Sequence, residues 1–185
     1  LGMSLVAGGH RVAVLAVDPS SSRSGGSVMA DKTRMEKLAV EENAFIRPSP
    51  SGGTLGGVAR KTRETMLVCE AAGFDVVIIE TVGVGQNEVD VRSMVDTLVF
   101  LTLPHTGDFL QDIKKGILES IDILAIHKAD GELKQAAKNK EKELSLLATT
   151  LSSFTPDWNI PILSVSSKEN INIAAVREAI SKHIH

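Results

Sequence analysis

Six short apolar runs limit the fold of this chain more than any other feature. The runs are VAVLAV (12–17), AFIR (44–47), VVIIET (76–81), TLVFLTL (97–103), ILAIHKA (123–129) and ILSVS (162–166). Five are rich in β-branched or aliphatic residues without alternation, which is typical of parallel strands covered on both faces. Segments with helical spacing separate or follow them, at about residues 32–42, 55–72, 88–95, 108–120, 132–153 and 171–183. This order predicts an α/β fold, a doubly wound and mostly parallel sheet with helices on both faces.

The length of 185 residues fits one domain with a substantial core. The 20 basic and 23 acidic residues give a net charge of -3 and form no basic run, so no nucleic-acid partner is expected. No apolar stretch approaches the roughly 18 to 20 residues that cross a bilayer, so no membrane association is expected either. The single cysteine, Cys69, rules out an internal disulfide and fits a reducing cytosol, which favours a cytoplasmic protein.

The opening segment, Leu1 to His10, has the pattern of the last turns of a helix that Gly8 and Gly9 end. A domain is not expected to begin part-way along a helix that packs on its first strand. The sequence therefore predicts that further chain precedes Leu1.

Acidic residues end two of the apolar runs, where parallel sheets hold their ligands. Asp18 ends the first run and Glu80 lies at the end of the third, in ETVGVGQNE. Each has an ordinary alternative, since Asp18 before Pro19 suits a turn and Glu80 can accept from nearby backbone. Their shared edge nevertheless favours a site for phosphate and Mg²⁺. Asp18 and Asp31 flank a Ser- and Gly-rich loop and can reach Mg²⁺, and Gly83 can bring its amide close to a γ-phosphate.

The ends of the fifth and sixth runs, HKAD (127–130) and SVSS (164–167), predict a purine pocket. Asp130 would accept from the N1 and N2 hydrogens of guanine, and the stem of Lys128 would lie along the ring. The region of Ser166 would offer backbone N–H to guanine O6. A Gly-x-x-x-x-Gly-Lys-Ser/Thr loop is absent from the sequence. The glycine-rich SGGTLGG (51–57) is interpreted as a flexible or tightly turning loop, with phosphate binding as its alternative.

Three long segments carry a resemblance to a known family. VAVLAVDPSSSRSGGSVMADKTRM (12–35), the stretch from AFIRPSPSGG to VGQNEVDV (44–91) and GDFLQDIKKG (107–116) closely resemble the MeaB/ArgK family of P-loop GTPases. The resemblance implies the role that members of that family share, which is that of a chaperone of adenosylcobalamin-dependent methylmalonyl-CoA mutase. An older name for them is LAO/AO transport system ATPases or kinases. The resemblance covers nearly the whole chain.

The resemblance implies GTP/GDP and Mg²⁺ as cofactors and gives roles to residues that match the family motifs. Asp18 and Asp31 correspond to the Mg²⁺-associated acids, and Glu80 and Gly83 to the Walker B and second-switch segment. Further switch positions, including a third switch that links nucleotide to the mutase, are Gln86, Glu88, Asp108, Gln111 and Lys114. The resemblance makes Glu80 and Lys114 the catalytic residues. Lys114 would stabilise the negative charge that develops on the phosphate, and the alternative interpretation of Lys114 is an ordinary exposed lysine of a helix.

The resemblance also implies what residues 1–185 lack. They correspond to a single G domain without the family's N-terminal Walker A segment and its C-terminal dimerisation extension. The whole protein would be a homodimer with the mutase as its partner. One position departs from the family: His127 stands where the family has Asn, whose amide braces the base pocket. The alternative for His127 is a purely structural histidine at a strand end.

Two other functions stay open. One is a non-hydrolysing, partner-binding module made from a degenerate G domain. The other is an ATP-dependent kinase of an amino-acid transport system, which ranks last because nothing resembles a phosphoacceptor loop. A Gly-Lys-Ser/Thr loop upstream in the reading frame would favour the GTPase over the binding module.

Overall fold

The computed structural model describes residues 1–18, 35–50, 55–81, 91–105, 120–148 and 155–185. All six predicted strands are present, and they form two three-stranded parallel sheets. The chain divides into two compact units, one of residues 2–94 and the other of residues 95–185 together with Leu1. The predicted fold class, α/β with parallel strands and intervening helices, is confirmed.

The sheet of the first unit has the strand order β2-β1-β3. Its strands are β1 (Val12–Asp18), β2 (Ala44–Pro50) and β3 (Val76–Thr81), and its helices are α1 (Gly2–Ala7), α2 (Glu36–Ala39) and α3 (Leu55–Ala71). The central strand β1 pairs in parallel with both neighbours, and its residues 12–17 are all buried.

Alternate residues of β1 build two separate apolar clusters, because successive strand side chains point to opposite faces. Val12 and Val14 pack in a cluster with Leu5 of α1 and Leu38 of α2. On the other face the cluster holds Ala13, Leu15 and Cys69, the last from α3. Burial raises the pKa of the Cys69 thiol, which disfavours the reactive thiolate.

Two glycines end helices of this unit in the left-handed region, Gly9 with φ +90° and Gly73 with φ +84°. After α1, the His10 N–H donates to the Leu5 carbonyl at 3.1 Å and the Gly9 N–H to the Val6 carbonyl at 2.9 Å. This is the Schellman arrangement, and it confirms the predicted helix end near Gly8 and Gly9.

Asp75 ties the start of β3 to the start of β1. Its carboxylate contacts His10 Nδ1 at 2.7 Å and accepts from the Arg11 N–H at 2.7 Å. The hydrogen bond with the His10 ring, followed by that from the Arg11 backbone, holds the pKa of Asp75 below its ordinary value. The carboxylate therefore stabilises the fold above its unfolded-state pKa of about 3.9, and this contribution is lost as pH falls through the folded-state pKa.

We expect Asp75→Asn to lower the free energy of unfolding at pH 7 and to have a smaller effect at pH 3. Because Asp75 is 54% exposed, solvent screening limits the difference at pH 7 to below about 1 kcal/mol. Urea denaturation of the two proteins at both pH values measures it. Asp157→Asn, at another exposed aspartate, is the control; an Asp75→Asn effect that is undiminished at pH 3 would contradict the assignment.

The sheet of the second unit has the strand order β4-β5-β6. Its strands are β4 (Val99–Thr102), β5 (Ile123–Ile126) and β6 (Ile162–Ser164). A 3₁₀ turn (Gly131–Leu133) leads into α4 (Lys134–Ala148), and α5 (Ile173–Ile184) follows β6. The central strand β5 is again fully buried, with Leu124 and Ile126 packed in the cluster of α4 and Ala125 in that of α5.

The helices match their predictions unequally. Those predicted at 55–72, 132–153 and 171–183 are present as α3, α4 and α5, whereas the one at 32–42 is only the single turn α2 within the described residues. The predicted helix at 108–120 lies outside the described residues except for residue 120, and of the helix predicted at 88–95 the structure describes residues 91–95, of which only 91 and 92 are helical. Of the helices in the described ranges, none has the length and apolar character to span a bilayer.

Candidate nucleotide-binding site

The carboxyl edge of the first sheet carries two of the predicted acids. Asp18 is the last residue of β1, and Glu80 of β3 stands in register with Ala16 of β1. Because β1 and β3 run parallel, both residues lie at the same edge of this sheet, as predicted. The Glu80 side chain is exposed there.

Several predicted residues cannot be placed, because they lie outside the described residues. They are Asp31, Gly83, Gln86, Glu88, Asp108, Gln111 and Lys114. The described side chains include no group of three or more His, Cys, Asp or Glu that could hold a metal ion. The assignment of Mg²⁺ to Asp18 and Asp31 thus stays a prediction.

The carboxyl edge of the second sheet brings together the residues predicted to hold the base. After β5 the His127 N–H donates to the Thr102 carbonyl at 2.8 Å, which prolongs the pairing with β4. Lys128 then adopts φ +62°, a left-handed conformation that is uncommon for a residue with a side chain. The turn brings the Ala129 N–H to the Val165 carbonyl at 3.0 Å and leaves the Lys128 side chain exposed. Such backbone outliers are concentrated at ligand sites.

Ser166 orients the carboxylate of Asp130. Its hydroxyl, which is fully buried, donates to Asp130 Oδ2 and accepts from the Glu169 N–H at 3.1 Å. Asp130 itself is half-buried, and its Oδ1 makes no hydrogen bond with any described residue. One oxygen is therefore fixed by the protein while the other remains able to accept from a ligand, which suits a reader of two adjacent N–H groups.

The loop after β6 is closed by its own backbone. The Ser166 N–H donates to the Ile171 carbonyl at 3.1 Å, and the Ile171 N–H returns to the Ser166 carbonyl at 2.9 Å. Ser166 therefore acts through its hydroxyl, and its amide is already engaged. The amides of Ser167 and Lys168 make no hydrogen bond within the described residues, so they are the donors that this loop leaves for a base carbonyl.

Sequence reasoning missed Ser167, whose Oγ lies 3.3 Å from His127 Nε2. The contact joins the loop after β5 to the loop after β6. The signal available was the serine pair Ser166-Ser167, of which only the first was singled out. Nothing local in the sequence indicates that an imidazole 40 residues away would meet the second.

A family model described as "Methylmalonyl Co-A mutase-associated GTPase MeaB" matches residues 1–185. The chain belongs to this family. The predicted family, the MeaB/ArgK P-loop GTPases, is thereby confirmed. The Mycobacterium tuberculosis protein named "Probable GTPase Rv1496" is 56% identical over 99% of this chain and 54% of its own length.

Two further MeaB-family relatives and one solved structure extend the comparison. The Escherichia coli protein named "GTPase ArgK" is 47% identical over 97% of this chain and 54% of its own length. The mouse protein named "Methylmalonic aciduria type A homolog, mitochondrial" is 44% identical over 100% of this chain and 44% of its own length. The crystal structure of a protein named "LAO/AO transport system kinase" matches with a TM-score of 0.80 and 37% identity, covering 98% of this chain and 52% of that one. The chain thus spans about half the length of the relatives it matches.

Proposed function

We propose that the whole protein binds and hydrolyses GTP with Mg²⁺ and acts as a chaperone of the adenosylcobalamin-dependent methylmalonyl-CoA mutase. The observation that carries the nucleotide part is the Asp130 carboxylate, which accepts from Ser166 at Oδ2 and has no hydrogen bond from any described residue at Oδ1. Guanine presents two adjacent donors, N1–H and N2–H, whereas adenine presents a lone pair at N1. A carboxylate in this setting favours guanine because adenine would leave it unpaired.

The first sheet would supply the phosphate and metal side of the reaction. Asp18 ends a strand whose other six residues are buried, so its backbone is rigidly held, and carboxylate oxygens are the ligands that Mg²⁺ prefers. Mg²⁺ held by Asp18 and Asp31 would neutralise charge on the phosphate oxygens. Glu80 would orient water at this edge, Gly83 would offer its amide to the γ-phosphate, and Lys114 would offset charge in the transition state.

The partner assignment rests on the descriptions of the family model and of the mouse relative. In this proposal Gln86, Glu88, Asp108 and Gln111 report the nucleotide state to the mutase. The whole protein is a cytoplasmic homodimer, and the 185 residues alone are catalytically incomplete because they hold no Gly-x-x-x-x-Gly-Lys-Ser/Thr loop.

The second candidate function is the ATP-dependent kinase, favoured by the name of the protein in the matching crystal structure. It requires adenine binding, which the Asp130 carboxylate disfavours. The third, a non-hydrolysing binding module, predicts nucleotide binding without phosphate release.

We expect Glu80→Ala, in the protein expressed from the complete reading frame that contains this sequence, to lower GTP hydrolysis about 100-fold or more. GDP affinity should change less than about threefold, because Glu80 is not assigned to the base. Phosphate release with GTP or ATP measures activity, and labelled GDP measures binding. Glu70→Ala, at an exposed acid of α3, is the matched control.

Three results would contradict parts of this proposal. Hydrolysis of ATP but not GTP would favour the kinase, and tight GTP binding without hydrolysis in the wild type would favour the binding module. Phosphate release by the 185 residues alone, abolished by Glu80→Ala, would refute their catalytic incompleteness.

A further inference from the structure

We propose that His127 is a positioning residue that holds Ser167, so that the loop after β6 presents an amide to the base carbonyl. This inference rests on the proposed guanine site and deepens it. It gives the imidazole a role of its own at a position where the resembling family has Asn.

His127 is well placed to fix a second loop because its own backbone is fixed. Its N–H is bonded to the Thr102 carbonyl at 2.8 Å, and its half-buried ring reaches Ser167 Oγ at 3.3 Å from Nε2. Either partner can donate this hydrogen bond, depending on the imidazole tautomer.

The contact is one of two adjacent links between the same loops. Ser166 is bonded to Asp130, and the next residue, Ser167, is bonded to His127. The hydrogen bond between Ser166 and Asp130 orients the carboxylate that would accept from the N1 and N2 hydrogens of guanine. The second link sets the direction of the peptide that follows Ser166, and therefore of the Ser167 amide that would meet O6.

Side-chain length determines which substitutions at position 127 keep this contact. The Nε2 atom of His is four bonds from Cα, whereas the polar atoms of Asn are three bonds away and those of Gln are four. An Asn at position 127 would fall short of Ser167 across the present gap, and a Gln would reach it. The structure therefore predicts that His127→Gln keeps the affinity for GDP and that His127→Asn loses it. A direct contact between residue 127 and the base, as Asn would make in the family, would give the opposite result.

The test measures affinities for GDP and for 2-aminopurine riboside diphosphate, which keeps the 2-amino group but lacks O6 and the N1 hydrogen, in the protein from the complete reading frame. His127→Leu and Ser167→Ala should each weaken GDP binding about 5- to 20-fold, and the double variant should lose no more than the worse single variant. His127→Gln should stay within about threefold of wild type, while His127→Asn should resemble His127→Leu. Affinity for the 2-aminopurine nucleotide should change less than about twofold in all of them.

Thermal melts without nucleotide check that each variant folds. If His127→Leu does not fold, the affinities of Ser167→Ala, His127→Gln and His127→Asn are compared with that of the wild type instead. Equal losses for both nucleotides, or rescue by Asn rather than Gln, would overturn the role of His127 and leave the guanine site intact. Failure of the wild type to bind GDP would instead overturn the proposed function, and this inference with it.

Discussion

Replacing Asp122 with alanine is expected to lower the free energy of unfolding by about 3–5 kcal/mol. Asp122 directly precedes β5 and is 0% exposed. Its Oδ1 lies 3.1 Å from His183 Nε2 on α5, and its Oδ2 accepts from the Leu98 N–H at 2.8 Å. Alanine would leave the half-buried Leu98 N–H without its acceptor and would take the carboxylate away from the buried His183 ring, and an unsatisfied donor costs about 1–3 kcal/mol.

The surrounding contacts make the loss hard to compensate. His183, whose side chain is 5% exposed, also meets Thr155 Oγ1 at 2.9 Å through Nε2 and Thr97 Oγ1 at 2.9 Å through Nδ1. Trp158 packs edge-on against the His183 ring and donates its indole N–H to the Asp122 carbonyl at 2.8 Å. The network joins α5 to the starts of β4 and β5, so water cannot easily replace the carboxylate.

Urea denaturation of the 185-residue chain measures this effect. The matched control is Lys182→Ala on the same helix, which removes an ion pair with Glu178 of 2.7 Å whose members are 67% and 66% exposed. Exposed pairs of this kind contribute little to stability because solvent screens them. Equal, small losses for Asp122→Ala and Lys182→Ala would show that the buried network does not secure α5.

The strands could be predicted from sequence because burial on both faces demands a continuous apolar run, and such runs are visible without tertiary information. β1 is the clearest case, since residues 12–17 are all apolar and all buried. The juxtaposition of Asp130 and Ser166 could be predicted for a related reason. They follow such runs directly, and parallel strands bring their carboxyl ends to one edge.

Long-range side-chain pairs could not be predicted. His183 and Asp122, His127 and Ser167, and His10 and Asp75 are each separated by 40 residues or more, and no local pattern marks them as partners. The left-handed Lys128 is equally hidden, because the loop contacts at Thr102 and Val165, not the lysine itself, impose its conformation.

The second large effect is expected at the base site, from Asp130→Asn. Asn keeps an oxygen that can accept from Ser166, so the loop contact survives. It replaces an acceptor by an NH₂ donor where guanine also offers donors, at a cost of about 2–4 kcal/mol. GDP binding should therefore weaken roughly 30- to 1000-fold. Xanthosine diphosphate, which carries a carbonyl in place of the guanine amino group, should bind more tightly than to the wild type.

The most direct test of a guanine site built on Asp130 is a titration of the wild type and Asp130→Asn with labelled GDP and labelled xanthosine diphosphate. The protein is expressed from the complete reading frame, and Glu132→Gln, at an exposed acid two residues further along, is the control. The predicted result is a reversal of preference, from GDP in the wild type and the control to the xanthine nucleotide in Asp130→Asn. Unchanged GDP affinity in Asp130→Asn, with no gain for xanthosine diphosphate, would show that Asp130 does not read the base.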